Sequence, residues 1–86
     1  MIETAVVKDK IREYIVEEFA KPKSIMQVSD DEALTKNGVI DSMGIFRLVS
    51  FLEDTFNVRL GDEEITHDNL ESINAIEKLV IAKSKK

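Results

Sequence analysis

Near the middle of the chain, residues 38 to 44 read GVIDSMG, with an acid, a hydroxyl and two glycines where an irregular stretch gives way to apolar residues of helical period. Ser42 follows Asp41 and opens that apolar run. A hydroxyl at the mouth of a helix suits phosphate chemistry, because unpaired backbone N–H groups and the helix dipole both favour negative charge there. Ser42 is therefore a candidate for a phosphodiester link. Ser is also a favoured N-cap, and Asp-Ser before an apolar helix is ordinary capping. The two roles are compatible, since a capping side chain sits at the helix mouth.

Other chemistry is sparse. The chain has no Cys, which removes disulfides, thiol nucleophiles and thiolate metal sites. Its single histidine, His67, lies in an acidic polar stretch with no Ser or Cys partner in view, and reads as a surface or capping residue. Asp30, Asp31 and Glu32 resemble part of a cation loop. The calcium-loop pattern needs acids at alternating positions before its glycine, whereas Ala33, Thr35 and Asn37 precede Gly38. No metal site and no phosphate-cradling glycine motif is expected, and no nucleophile–base pair marks an enzyme.

At 86 residues the chain suits a single domain, 1–86, with one modest core. The net charge is −5. Residues 41 to 71 hold Asp41, Glu53, Asp54, Asp62, Glu63, Glu64, Asp68 and Glu71 against only Arg47 and Arg59. An acidic middle disfavours nucleic acid and anionic lipid and attracts basic protein surfaces. Lys78, Lys83, Lys85 and Lys86 near the end suit the last turns of a helix. No apolar run reaches membrane-spanning length and no signal-peptide layout opens the chain, so a cytoplasmic protein without membrane insertion is expected.

The elements that must position Ser42 follow from periodicity. Val7, Ile11, Ile15 and Phe19 recur every four residues and predict a helix over 3–20, ending before Pro22. Residues 21 to 41 have no sustained period. So long a connection in a small domain must be packed down, with Ile25, Met26, Val28 and Leu34 as anchors and a turn at Asn37-Gly38. Ile45, Leu48, Val49, Leu52 and Phe56 form the stripe of a second helix over 42–56, ending at Asn57. A short helical turn is expected at 67–70, and Ser72 caps a last helix over roughly 73–83. No strand alternation occurs, so the expected class is all-α.

With these features in place, the chain resembles the acyl carrier protein and peptidyl carrier protein family. The resemblance lies in Asp41-Ser42-Met43, the preceding Gly38-Val39-Ile40, the segment IFRLVSFLEDTFNVRL, the acidic DEEIT stretch, the NLESI entry and the last amphipathic helix. It covers nearly the whole chain, most specifically residues 38 to 76. It implies a four-helix bundle with a long first loop and a short third helix. It also implies that Ser42 receives 4′-phosphopantetheine, covalently, from coenzyme A through a separate Mg²⁺-dependent phosphopantetheinyl transferase. The arm's thiol would then carry acyl groups as thioesters for fatty-acid, polyketide or other secondary lipid biosynthesis. A chain without Cys would thus borrow its sulfur. The carrier itself is not an enzyme, and a monomer is implied.

By the same resemblance Asp41, Met43, Phe46, Arg47, Glu53 and Asp54 fall where partners read the carrier: the transferase, an acyl- or aminoacyl-loading ligase, and synthases with basic surfaces. Two features depart from the common fatty-acid carriers. Gly44 and Arg47 stand where acids are usual, which dilutes the acidic face near Ser42 and leaves its restoration to Glu53 and Asp54. Gly44 should also weaken the first helical turn by about 1 kcal/mol relative to Ala. Asp-Ser-Met-Gly looks more like specialised stand-alone carriers, including D-alanyl carriers, which makes an aminoacyl, D-alanyl or peptidyl carrier the alternative. A reading of another class is an unmodified acidic helical adaptor, in which Ser42 is only a cap.

Overall fold

The computed structural model describes residues 4–25, 27–66 and 68–84. Met26 and His67, singled out above as an anchor and as a surface histidine, lie outside the described residues. Among the described residues the chain is all-helical, with three α-helices and no strand: α1 Thr4–Ile15, α2 Ser42–Phe56 and α3 Ile73–Ser84.

The four-residue apolar repeat of the first segment explains its shape. Each four-residue step overshoots the 3.6-residue turn, so the stripe drifts around the helix. Val7, Ile11 and Ile15 stay buried within α1. The backbone then widens into a π-helical turn, Val16–Ala20, closed by the Lys21 N–H donating to Val16 O. The wider turn offsets the drift and brings Phe19 and Ala20 into the core. A 3₁₀ turn, Lys21–Lys23, carries Pro22 near its start, where a missing N–H costs nothing. Ser24 then leaves the helix in the left-handed region at φ 60°.

The long connection is packed down. Val28, Leu34, Val39 and Ile40 are buried, and Ile25 packs on the core. Its backbone is tied to both α1 and α3. The Arg12 guanidinium donates to Val28 O at 2.7 Å, the Leu34 N–H donates to Glu71 O at 2.8 Å, and the Asn74 N–H donates to Asp30 O at 3.0 Å. Asp30 pairs with Lys8 and Arg12, Asp31 accepts from the Asn74 side chain, and Glu32 accepts from the Ser29 N–H and from Asn37. The acidic triplet therefore fastens the loop. Among the described residues no cluster of three or more metal-ligating side chains occurs.

α2 has the expected bounds. Leu48, Val49, Leu52 and Phe56 are buried, Ile45 packs on them, and Asn57 ends the helix in the left-handed region at φ 54°. Ser72 caps α3 by accepting from the Ala75 N–H at 3.1 Å, and Ile73, Ile76, Leu79 and Val80 face inward. α3 packs most extensively on α1.

The connection between α2 and α3 differs from expectation. Its helical turn is a 3₁₀ turn at Asp62–Glu64, while residues 68–70 form a simple hydrogen-bonded turn. The reason is local. The Glu64 carboxylate accepts from the Gly61 N–H at 2.9 Å and so caps the earlier segment. Lys83 of α3 then holds Glu64 at 2.8 Å.

Leu52 is fully buried at the centre of α2. Leu52→Ala should destabilise by about 2–5 kcal/mol, read as a fall in denaturant midpoint.

Candidate functional site

The turn before α2 is built by the loop folding back on itself. Leu34 O accepts from the N–H groups of Val39 and Ile40 at 2.8 and 3.1 Å, and the Gly38 N–H donates to Thr35 O at 3.2 Å. Gly38 sits at φ 80°, a conformation that glycine takes without steric cost. Lys23, from the end of the first helical segment, spans the turn and donates to Gly38 O at 2.8 Å and Val39 O at 3.0 Å. Buried Val39 and Ile40 anchor the turn, and Asp41, Ser42 and Met43 emerge exposed.

The cap is Asp41 and not Ser42. Asp41 is extended at φ −94°, ψ 178°, and its Oδ1 accepts from the Gly44 N–H at 2.7 Å. Ser42 is the first residue of α2, and its exposed hydroxyl has no hydrogen-bond partner among the described residues. Asp41 takes up the third N–H of the helix and leaves those of Ser42 and Met43 facing the helix mouth. An exposed hydroxyl beside two such donors fits a phosphodiester, the only chemistry that 4′-phosphopantetheine attachment asks of this chain.

Gly44 is corrected by the structure. It is buried and does not lie on an exposed recognition face. A Cβ there would stand 2.8 Å from Phe19 Cε1 and 3.0 Å from Ile40 Cγ2. The missing side chain lets the first turn of α2 rest on the Phe19 ring.

The remaining candidates divide. Among the described residues Met43 and Phe46 are the most exposed large apolar side chains, at 73% and 66%. For Phe46 this decides against a core role. Arg47 pairs with Glu18 at 2.6 Å, and its guanidinium lies 5.1 Å from the centre of the Phe19 ring. Glu53 turns to the end of its own helix, where its carboxylate accepts from the Leu60 N–H at 3.0 Å. Asp54 is exposed, with no ion-pair partner among the described residues.

The sequence reading missed Glu18, Lys23 and the aromatic seat. Tyr14 stacks on Phe51 at 3.9 Å, meets Phe19 edge-on at 5.7 Å, and donates to Arg47 O at 3.3 Å. Burial pushes the Tyr14 phenol above its ordinary value, against the opposing effect of the Arg47 charge. Only the apolar spacing of Phe19 signalled any of this. A lysine reaching across fifteen residues of sequence leaves no local signature.

A groove of 460 Å³ opens beside Tyr14 and Phe51, and one of 660 Å³ runs past Phe46, Arg47 and Asp54. Neither known family models nor curated proteins give a match to this chain.

Two stability predictions separate cap from hydroxyl and test the glycine. Asp41→Ala should cost about 0.5–2 kcal/mol, while Ser42→Ala should cost less, measured by denaturant unfolding. Gly44→Ala should destabilise by about 1–3 kcal/mol, because overpacking against Phe19 outweighs the gain of up to about 1 kcal/mol in helix propensity.

Proposed function

We propose that the protein is a carrier, with Ser42 as the attachment point of a 4′-phosphopantetheine arm. The observation that carries the reading is the geometry of Ser42. It is the first residue of α2, exposed, released from capping by Asp41, and beside the free N–H groups of the first turn. The resemblance at residues 38 to 76 supplies the identity of the arm.

Each residue then has a task. Ser42 Oγ gives up its proton to a base on the transferase and bonds the phosphorus whose link to the nucleotide half of coenzyme A breaks. Asp41 holds the first turn in register through Gly44 and adds negative charge where a Mg²⁺-dependent transferase works. Lys23 and Gly38 hold the turn that projects the serine. The arm supplies a thiol for thioester chemistry, which this chain of no Cys lacks. Acyl transfer belongs to partner enzymes.

The four-helix carrier arrangement is part of the same proposal. The turn at Asp62–Glu64 supports it as the short element between α2 and α3. The cargo is an acyl group, with an aminoacyl or D-alanyl group as the alternative that the Asp-Ser-Met-Gly run suggests. Among the described residues no helix is long and apolar enough to cross a membrane.

The test is intact mass after co-expression with a broad-specificity phosphopantetheinyl transferase. The wild-type chain should gain one phosphopantetheine unit, and Ser42→Ala should gain none while remaining folded. A wild-type chain that stays unmodified favours the unmodified adaptor. A gain that persists in Ser42→Ala places the arm elsewhere.

A further inference from the structure

Two depressions adjoin the first turns of α2 among the described residues, and their sizes differ. One, lined by Ile45, Ile65 and Leu70, holds 130 Å³. The other runs past Phe46 and Arg47 on the side of α1 and holds 660 Å³. Sites for small organic groups run from about 300 to 1,000 Å³, so only the second is of that size.

The walls of the larger depression are two neighbouring rows of α2. Residues four apart on a helix form a ridge, and adjacent ridges leave a furrow between them. Phe46, Ser50 and Asp54 form one wall, and Arg47, Phe51 and Thr55 form the other. Tyr14 and Glu18, from the first helical segment, close the side. Extended back by four residues, the first row begins at Ser42, so the furrow starts at the attachment residue. Its floor is the stacked pair of Tyr14 and Phe51, both half-buried. Its polar groups are ordered along it. Arg47 stands near the start, half exposed, with N–H groups beyond the one that Glu18 takes. The exposed Ser50 hydroxyl follows. The Asp54 carboxylate, without an ion-pair partner among the described residues, stands at the far end.

We infer that a 4′-phosphopantetheine arm on Ser42 rests in this furrow between α1 and α2 and is not left free in solvent. This rests on the reading of Ser42 as the attachment site. The order of groups matches. A phosphate bonded to Ser42 Oγ needs donors, and Arg47 supplies them. The amide N–H groups further along need acceptors, and Ser50 and Asp54 supply those. The dimethyl and methylene groups gain an aromatic floor. The lengths match too. The arm spans roughly fourteen bonds from Oγ to sulfur, about 16 Å at the reach of an extended backbone. Asp54, twelve residues beyond Ser42, lies about 18 Å along the helix axis.

Tyr14 is the only tyrosine of a chain without tryptophan, so its emission reports on the furrow alone. The experiment compares the unmodified chain with the chain carrying phosphopantetheine, each confirmed by intact mass. Acrylamide should quench Tyr14 less in the modified chain. The amide resonances that move on modification should run from Ser42 through Phe46 and Ser50 to Tyr14. In Ser50→Gln a longer side chain lies across the furrow. That variant should reach the same modified mass and lose the protection of Tyr14. Ser50 is exposed and Gln is a good helix former, so unchanged thermal melting separates blocking from misfolding. A modified wild-type chain whose Tyr14 is quenched as before, with shifts confined to residues 41–44, overturns the inference and leaves Ser42 as the attachment site. Protection that survives in full in Ser50→Gln overturns it as well. A wild-type chain that takes no phosphopantetheine overturns the Ser42 reading, and this inference with it.

Discussion

The close approach of Phe19 to Gly44 governs how the two ends of this molecule meet. Phe19 enters the core only because the first helical segment widens into a π turn, and Gly44 admits the ring only because it has no Cβ. A packed interior transmits such a fit to its neighbours. The same ring touches Tyr14 edge-on and lies beneath the Arg47 guanidinium, so one side chain joins the end of the first segment to two turns of α2. The first turn of α2 thus rests on the ring through Gly44 while Ser42, two residues earlier, stands exposed.

Charge in this protein is used mostly to fasten. The long connection is pinned by Asp30 to Lys8 and Arg12, the second connection by Glu64 to Lys83, and the helix-to-helix seat by Glu18 to Arg47. Single exposed pairs contribute little to stability. Their consequence is positional, since each joins segments 18 to 29 residues apart along the chain.

Much of the architecture was legible in the residues. The bounds of α2, its buried stripe, the Asn57 exit and the Ser72 cap were all readable, because helical period, caps and left-handed exits are local effects set by side chains within one or two turns. The site was legible in part. Ser42 stands at the helix mouth as expected, yet the cap fell to Asp41, since either residue has the chemistry and only the backbone angles of the preceding turn decide between them. The helical turn between α2 and α3 was misplaced, because its position depends on Glu64 reaching back to Gly61 and across to Lys83.

By itself the sequence determined the helical class, the stripe that each helix buries, and the singular position of Ser42 between an acid and an apolar helix. These depend on contacts short along the chain. The tertiary structure alone decided which groups remain available. Gly44, read as an exposed weakness, became a packing surface. Glu53, read as part of an acidic face, became a cap on Leu60, and Arg47 acquired a partner from a different helix. Burial of Gly44 and pairing of Arg47 depend on Phe19 and Glu18, which lie opposite in space but more than twenty residues away in the chain and so leave no periodic trace, while Glu53 turns to Leu60 because the chain bends back after Asn57.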